Sequence, residues 1–378
     1  MGNQQLKILF CVQCLGKGGA ERLILDICNH LNSRSDVDYL LVSFSQLNEY
    51  NTLSKTVNLK YCDAQISLSI FKRNKINIQS WQHIISDFKP DVIHSNVYFC
   101  ELLTREIILP NVKYFTHCHN NMPEFASFGI KTLFSKNLLT KWYEKKRIEK
   151  RYKQCNNKFI AISKDTFNYY KKNLAESLRD NIYLLPNAIN YNRFKSDTIK
   201  EITGTLNLIM IGHMADYKNQ IFLIDVLEYL KNRNIDAKLT LLGDWRDLGA
   251  KILEKAKQKG LSDCLEMPGI VENVESYLSK QYIYVHSAYY EPFGLVLLEA
   301  MAAGLPVVCL DGGGNRDIIE DGKNGFMIMH ENAVEFAEKI IELATNKSVY
   351  KSMSLYAQEY AKKFDIKEYV DSLLTLYL

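Results

Sequence analysis

No apolar run in this chain is long enough to cross a bilayer: the strongest, residues 8–12 and 305–310, reach only strand length, against the roughly 20 residues a helical span needs. The N-terminus has one lysine and a short apolar strand but no signal-peptide core followed by a small-residue cleavage site, so export is not expected and the cytoplasm is the expected compartment. Paired cysteine spacing is missing too. Nine cysteines are scattered through 378 residues, and an odd, unpaired set points to reduced thiols rather than a disulfide framework. Cys11 and Cys14 form a C-x-x-C with no second pair or nearby histidine, which favours strand packing over zinc. A broad positive face is absent as well. The net charge is +4, yet residues 131–153 alone hold nine Lys or Arg against Glu144 and Glu149. The rest of the chain is therefore slightly acidic, which excludes a general nucleic-acid-binding surface and leaves one local basic patch. With 47% hydrophobic and 24% charged residues, disorder is excluded and a sizeable core can be buried.

What is present is a repeated alternation. Short β-branched or aromatic runs at 7–12, 39–44, 92–94, 112–116, 159–163 and 182–185 are separated by segments of helical period. The pattern restarts at 206–211 and continues through 238–242, 265–267, 282–286, 306–310 and 326–329. This is the signature of parallel sheets wrapped by crossover helices. Each half opens with a strand, a glycine-containing loop (Gly16 to Gly19; Gly212 to Asn219) and a helix with a one-sided apolar stripe: Leu23, Ile24, Ile27 and Leu31 in the first, Ile221, Ile224, Leu227 and Leu230 in the second. Two Rossmann-like domains follow, 1–187 and 188–357, with a terminal helix, 358–378, returning to the first. The polar stretch 187–205 reads as the linker. Ligands of such folds gather at the carboxyl ends of the strands, so two domains facing each other would share a cleft.

The richest stretch is Tyr289-Tyr-Glu-Pro-Phe-Gly-Leu-Val-Leu-Leu-Glu-Ala-Met-Ala-Ala-Gly304, where Glu291 and Glu299 lie eight apart. Proline and glycine stop the chain before a helix that begins near Leu295. Glu291 then sits in the loop and Glu299 more than one turn into the helix, both able to face one pocket. The amides of Phe293, Gly294 and Leu295 lack intrahelical acceptors and suit a diphosphate. As spacing alone, such a pair also fits two solvated or capping glutamates. Lys113-Tyr-Phe-Thr-His-Cys-His-Asn120 ends a strand with two histidines on one face; no third ligand stands nearby to make a metal site. His94 reads as an ordinary satisfied strand-end residue. Asp36-Val-Asp38 is a D-x-D triplet before a strand, away from the glycine loops, and reads as a solvated turn.

Glu291-Pro-Phe-Gly-Leu-Val-Leu-Leu-Glu299 resembles the E-x7-E signature of the retaining glycosyltransferases of family 4, whose fold is the twin-Rossmann GT-B type. Gly16-Lys-Gly-Gly-Ala-Glu-Arg22 resembles that family's N-terminal donor loop. Phe159 to Ser163, Leu185 to Asn190, Leu241 to Asp244 and Asp311 to Ile319 match further stretches in the right order, so the resemblance spans nearly the whole chain. It implies an α/β, GT-B fold and a transfer of sugar from a nucleotide-sugar, UDP-sugar before GDP-sugar, with no metal and no bound cofactor. It places Gly18, Gly19, His213, Lys218, Phe293, Gly294, Leu295 and Glu299 at the donor, Glu291 on the sugar hydroxyls, Glu299 on the ribose and Lys218 on the departing diphosphate. His119, with His117 as the alternative, would stand near the donor sugar. His213 departs from the family's pattern, which has arginine there; imidazole loses the permanent charge and fork.

Retention without a nucleophilic carboxylate pair implies a front-face route, with the leaving phosphate taking the acceptor's proton. The acceptor would be a saccharide or a polyprenyl-phosphate-linked saccharide, as in bacterial capsule, exopolysaccharide or O-antigen assembly. Two rival classes share the fold: a sugar-nucleotide 2-epimerase, which lacks the E-x7-E pattern, and an inactive partner subunit, which only His213 suggests. The basic segment 131–153, with Phe134, Leu138 and Trp142 at four-residue spacing, is expected to meet an anionic membrane, making the protein peripheral on the inner face of the plasma membrane.

Overall fold

The computed structural model describes residues 5–126, 128–129, 135–246 and 248–378. Contacts divide the chain into two compact units, Met1–Asn187 with Ile366–Leu378, and Ala188–Asp365. Each is a parallel sheet wrapped by helices, so the fold is α/β of the twin Rossmann-like kind.

In the first unit the strands are β1 (Leu6–Val12), β2 (Val37–Ser43), β3 (Leu59–Tyr61), β4 (Gln65–Ser67), β5 (Lys75–Asn77), β6 (Val92–Ser95), β7 (Lys113–Cys118), β8 (Lys158–Ala161) and β9 (Ile182–Leu184). Seven of them form one parallel sheet in the order β3-β2-β1-β6-β7-β8-β9, while β4 and β5 make a separate antiparallel hairpin. Buried on both faces, the central strands read as continuous apolar runs: from Ile8 to Cys11 every β1 side chain is fully buried. The helix Gly19–Leu31 packs its stripe of Leu23, Ile24, Ile27 and Leu31 inward. Burying each such side chain contributes about 1.5–3 kcal/mol. The strands β3, β4 and β5 are absent from the sequence expectation because their largely exposed Leu-Lys-Tyr, Gln-Ile-Ser and Lys-Ile-Asn hold no continuous apolar run.

The second unit holds β10 (Leu206–Ile211), β11 (Ala237–Leu242), β12 (Leu265–Gly269), β13 (Ile283–His286), β14 (Val307–Leu310) and β15 (Gly325–Ile328), parallel in the order β12-β11-β10-β13-β14-β15. Chain order reverses direction between β10 and β13, as it does between β1 and β6 in the first unit. At such a switch point the loops after two neighbouring strands splay apart and leave a crevice.

Two details differ from the sequence expectation. The stretch 187–205 is tied down on the second unit: Arg193 pairs with Glu275 at 2.9 Å, and the Lys200 ammonium donates to the carbonyls of Leu278 and Gln281, both at 2.9 Å. Its polar residues anchor rather than swing. The expected boundary at residue 357 falls inside the helix Lys347–Lys362, which stays with the second unit; the chain returns only at Ile366, where the helix Ile366–Tyr377 begins. Phe364 accordingly packs on Phe293 and Tyr360, with ring centroids at 6.2 and 5.5 Å. Tyr369, Leu373 and Tyr377 are buried in the first unit.

Candidate active site

In the second unit the loop after β10 carries Gly212 and His213, then a short 3-10 turn, Asp216–Lys218. Asn219 closes that turn with a left-handed φ of 53°, and the Ser287 hydroxyl, at the end of β13, donates to the Lys218 carbonyl at 2.9 Å. The Lys218 backbone is thus tied to the neighbouring strand of the switch point. The loop after β13 carries Glu291 and is held by the glycine run that follows β14. Glu291 N–H donates to the Gly312 carbonyl at 2.7 Å, and Gly314 N–H donates back to the Glu291 carbonyl at 2.9 Å. A Cβ on Gly314 would lie 2.0 Å from the Pro292 carbonyl oxygen, so nothing larger fits there. Asn315 locks the run, accepting from Gly312 N–H at 2.9 Å and donating to the Leu310 carbonyl at 2.8 Å.

These anchors bring three chemical groups together. Lys218 Nζ lies 2.6 Å from Glu291 Oε2, and His286 Nε2 lies 3.2 Å from the same oxygen. Burial alone would raise the Glu291 carboxyl; the Lys218 ammonium and His286 together outweigh it and hold the pKa at about 2. Burial pushes His286 down, with Glu291 opposing, so its imidazole stays neutral at pH 7. Glu291 is therefore a firmly ionised carboxylate, and Lys218 a charge already facing it. His286 was not singled out from the sequence; the available signal was a histidine closing a strand five residues before Glu291.

Past Glu291 the chain turns into the helix Leu295–Ala302 through Gly294, whose φ of 102° is a conformation that a side chain would strain. Phe293 is buried, and the first amides of this helix lack intrahelical acceptors, leaving their partial positive charge at the carboxyl edge of the sheet. Glu299 lies in the second turn and is half-buried. The buried Tyr284 phenol is pushed up first by burial and then by the charges of Glu291 and Glu299. The structure therefore groups Lys218, Glu291, Glu299, Gly294 and Leu295 on one edge of β10 and β13. His213 stands in the same loop as Lys218, its carbonyl accepting from Gln220 Nε2 at 2.8 Å.

In the first unit Gly18 and Gly19 lie where β1 hands over to its helix. Gly18 is the extended residue before the helix, its carbonyl accepting from the Tyr50 hydroxyl at 2.9 Å; Lys17 N–H donates to Glu49 at 2.7 Å. His119 follows β7, with Nε2 3.0 Å from Asn96 Oδ1. Asn96 Nδ2 donates to the Cys11 carbonyl, so its oxygen faces His119 and must accept. The His119 proton is thereby fixed on Nε2, and Nδ1 is left as an acceptor. Burial, then His117 and His94, push His119 well down, which keeps it neutral. His117 and His94 are wholly buried and bonded to each other at 3.1 Å. His94 also meets the Tyr377 hydroxyl at 2.5 Å, and His117 the Tyr369 hydroxyl at 3.4 Å. Of the three, only His119 keeps some exposure.

Asp36 and Asp38 stand at the amino edge of the sheet, Asp36 on Arg34 at 2.9 Å and Asp38 3.8 Å from Lys7. Among the described residues no three His, Cys, Asp or Glu side chains gather as a metal site, and all nine cysteines are free. The basic helix spans Lys136–Gln154; Lys131 and Phe134 lie outside the described residues. Several of its cations are engaged by the fold. Arg147 forks onto the half-buried Glu106 carboxylate at 2.6–2.8 Å, and Lys145 donates to the carbonyls of Phe125 and Asn173, both at 2.9 Å. Lys141 lies 3.7 Å from Glu124.

Two family models match the chain almost end to end: glycosyltransferase family 4 over residues 17–193, and glycosyl transferases group 1 over residues 193–363. An uncharacterised glycosyltransferase of Methanocaldococcus jannaschii is 27% identical over 305 residues, covering 78% of this chain and 77% of the relative. The poly(glycerol-phosphate) alpha-glucosyltransferase of Bacillus subtilis is 27% identical over 165 residues, 43% of this chain and 24% of that longer protein. HepE of Anabaena, solved in complex with UDP-glucose, superposes with a TM-score of 0.78 at 18% identity, covering 98% of this chain and 100% of that one. The chain belongs to the glycosyl transferases group 1, family 4 type: it is a GT-B glycosyltransferase acting on sugar-nucleotides.

Proposed function

We propose that the protein is a retaining, metal-independent glycosyltransferase that moves a hexosyl or N-acetylhexosaminyl group from a UDP-sugar, with GDP-sugar the second choice, onto a saccharide or polyprenyl-phosphate-linked acceptor. The observation that carries this reading is the Lys218–Glu291 pair at 2.6 Å beside the helix start at Leu295. Lys218 neutralises charge on the departing diphosphate together with the amides of Phe293, Gly294 and Leu295, which supplies by ammonium and dipole what a divalent ion would otherwise supply. Glu291, released from Lys218 as the phosphate takes its place, accepts from sugar hydroxyls. Glu299 accepts from the ribose.

In the first unit, the backbone of Gly18 and Gly19 meets the transferring sugar, with the Glu21 carboxylate close beside Gly18, and the Nδ1 of neutral His119 accepts from one of its hydroxyls. HepE's complexes with UDP and UDP-glucose support a UDP donor. An alpha-glucosyltransferase among the relatives supports retention, because the glucose of UDP-glucose is itself α-linked. The same relative acts, by its name, on poly(glycerol-phosphate), a bacterial polymer, in keeping with a role in bacterial surface polysaccharide synthesis, in the cytoplasm or on the inner face of the plasma membrane.

The test is incubation of the purified protein with UDP-glucose, UDP-N-acetylglucosamine and GDP-mannose, with EDTA present, against polyprenyl-phosphate-linked and free saccharides. Nucleotide release and the anomeric coupling of the product are read by NMR. An axial donor giving an equatorial product, or activity only with added manganese, overturns the reading.

A further inference from the structure

The β4–β5 hairpin stands outside the large sheet, with Ile66 facing Ile76 and Ser67 facing Lys75. Its base is fixed. Leu68 is 5% exposed in a cluster with Phe125 and Tyr152, and Asn74 Nδ2 donates to the Tyr143 hydroxyl of the basic helix at 3.1 Å. Its tip is ordered too. Ser69 N–H donates to Asn74 Oδ1 at 2.9 Å, and the Ser69 hydroxyl oxygen accepts from the amides of Phe71 and Lys72, both at 3.1 Å.

Turn tips normally carry small polar residues. This one presents Ile70, 44% exposed, and Phe71, 54% exposed. Exposed Lys72, Arg73 and Lys75 follow them, and the Lys136 ammonium stands 6.0 Å from the Phe71 ring centroid. No acidic residue occurs between Asp63 and Asp87, and these four cations have no ion-pair partner among the described residues. The contrast with the body of the helix is sharp, since Lys141, Lys145 and Arg147 are engaged by the fold.

We propose that this tip seats the protein on an anionic bilayer, Ile70 and Phe71 entering the interfacial region while Lys72, Arg73, Lys75 and Lys136 meet lipid phosphates. A bilayer surface offers apolar depth and negative charge at one place, which is what the tip complements, and two weak signals together give reversible peripheral binding. The inference deepens the lipid-linked-acceptor reading by naming the membrane contact. It moves that contact from the body of the basic helix, where the sequence pointed, to the hairpin.

Full-length protein is sedimented with phosphatidylglycerol–phosphatidylcholine vesicles and with pure phosphatidylcholine vesicles, at low and high salt. Wild type is expected on the anionic vesicles at low salt. Paired Ile70→Ser and Phe71→Ser changes, and separately paired Lys72→Glu and Arg73→Glu changes, should each lower partitioning roughly tenfold or more, with thermal midpoints and UDP-glucose hydrolysis in the absence of vesicles unchanged. Phe71→Trp should add a component of emission that shifts blue on anionic vesicles and is quenched by brominated lipid. Wild-type partitioning of the Ser pair with no shift from Phe71→Trp overturns insertion, and so does failure of wild type to bind either vesicle. Binding to soluble heparin without vesicle binding overturns it in favour of an acidic macromolecule. Loss of donor hydrolysis in wild type would sink the transferase reading and leave vesicle binding standing.

Discussion

The two units share one architecture and use opposite electrostatics at matching places. At the carboxyl edge of the second sheet the groups are charged: Glu291 is held at about 2 by Lys218 and His286 against its burial. At the carboxyl edge of the first sheet the three histidines are neutral: burial drives His94, His117 and His119 down, His117 to about 3. The difference suits the ligand chemistry proposed for each. A diphosphate needs compensating charge in place before it arrives, whereas a sugar hydroxyl needs only an acceptor that costs no ion desolvation. The same strand–loop–helix frame therefore supplies a cation in one half and a fixed neutral tautomer in the other.

The largest expected effect comes from removing the charge. Lys218→Ala should lower kcat by about 10²–10³-fold with a smaller change in donor KM, and Lys218→Arg should restore part of it. Steady-state kinetics with UDP-glucose decide this, and wild-type kcat in Lys218→Ala would erase the contrast between the units. Next is Glu291→Gln, which keeps shape and removes the anion: kcat should fall about tenfold to a hundredfold. Glu299→Ala should instead raise donor KM about tenfold, as one charged hydrogen bond to a ribose would. Exchange of these two patterns would reverse the division of sugar and ribose between the glutamates.

A neutral acceptor is worth less. His119→Ala should cost about fivefold in kcat/KM, and Asn96→Ala, which frees the His119 ring to change tautomer, should cost a similar amount and turn the single Nε2–H form seen by ring-nitrogen NMR into a mixture. The Asn96 side chain hydrogen-bonds to His119 and to the Cys11 carbonyl, so an unchanged ring tautomer in Asn96→Ala would assign it a packing role alone.

Much of this frame was legible in the chain. Twelve of the expected strands lie within a residue or two of where the structure places them, because long apolar runs buried on both faces announce themselves locally. The loop position of Glu291 and the helical position of Glu299 followed from Pro292 and Gly294. What stayed hidden was every partnership made across the sequence. Asn96 meets His119 from 23 residues away, and Lys218 meets Glu291 from 73. The engagement of the basic helix depends on Glu106, 41 residues before Arg147. A run of cations in the sequence cannot show which of them the fold will use, so the patch looked uniform from residue 131 to 153 while its helical members were partly spent on packing. His286 was passed over for the same reason: a strand-end histidine is ordinary until the loop that follows brings a carboxylate to within 3.2 Å.

The smallest expected effect is a difference in acid sensitivity. A histidine whose folded pKa lies below its unfolded value of 6.5 binds fewer protons folded than unfolded. Its contribution is complete above pH 6.5 and is lost as pH falls toward the folded value, about 3 for His117. The first unit buries three such histidines. Glu101 opposes them: raised by burial to about 7, its contribution is complete below pH 4.5 and is lost as pH rises through 7. Glu21, Asp26 and Glu144, all raised by burial, act in the same sense as Glu101. The second unit has His286 lowered by burial, and Glu291, whose contribution survives until pH falls below 4.5 toward 2. Between pH 6.5 and 5 three histidines pull the stability of the first unit down, with Glu101 opposing them, against His286 in the second. Each proton of difference is worth about 1.4 kcal/mol per pH unit when fully expressed. Amide hydrogen exchange, corrected for its intrinsic pH dependence, should show protection in β1, β6 and β7 falling faster than in β10 and β13 as pH drops through this window. Equal loss in the two sheets would mean that the buried histidines are not held neutral, and the contrast between the halves would go with them.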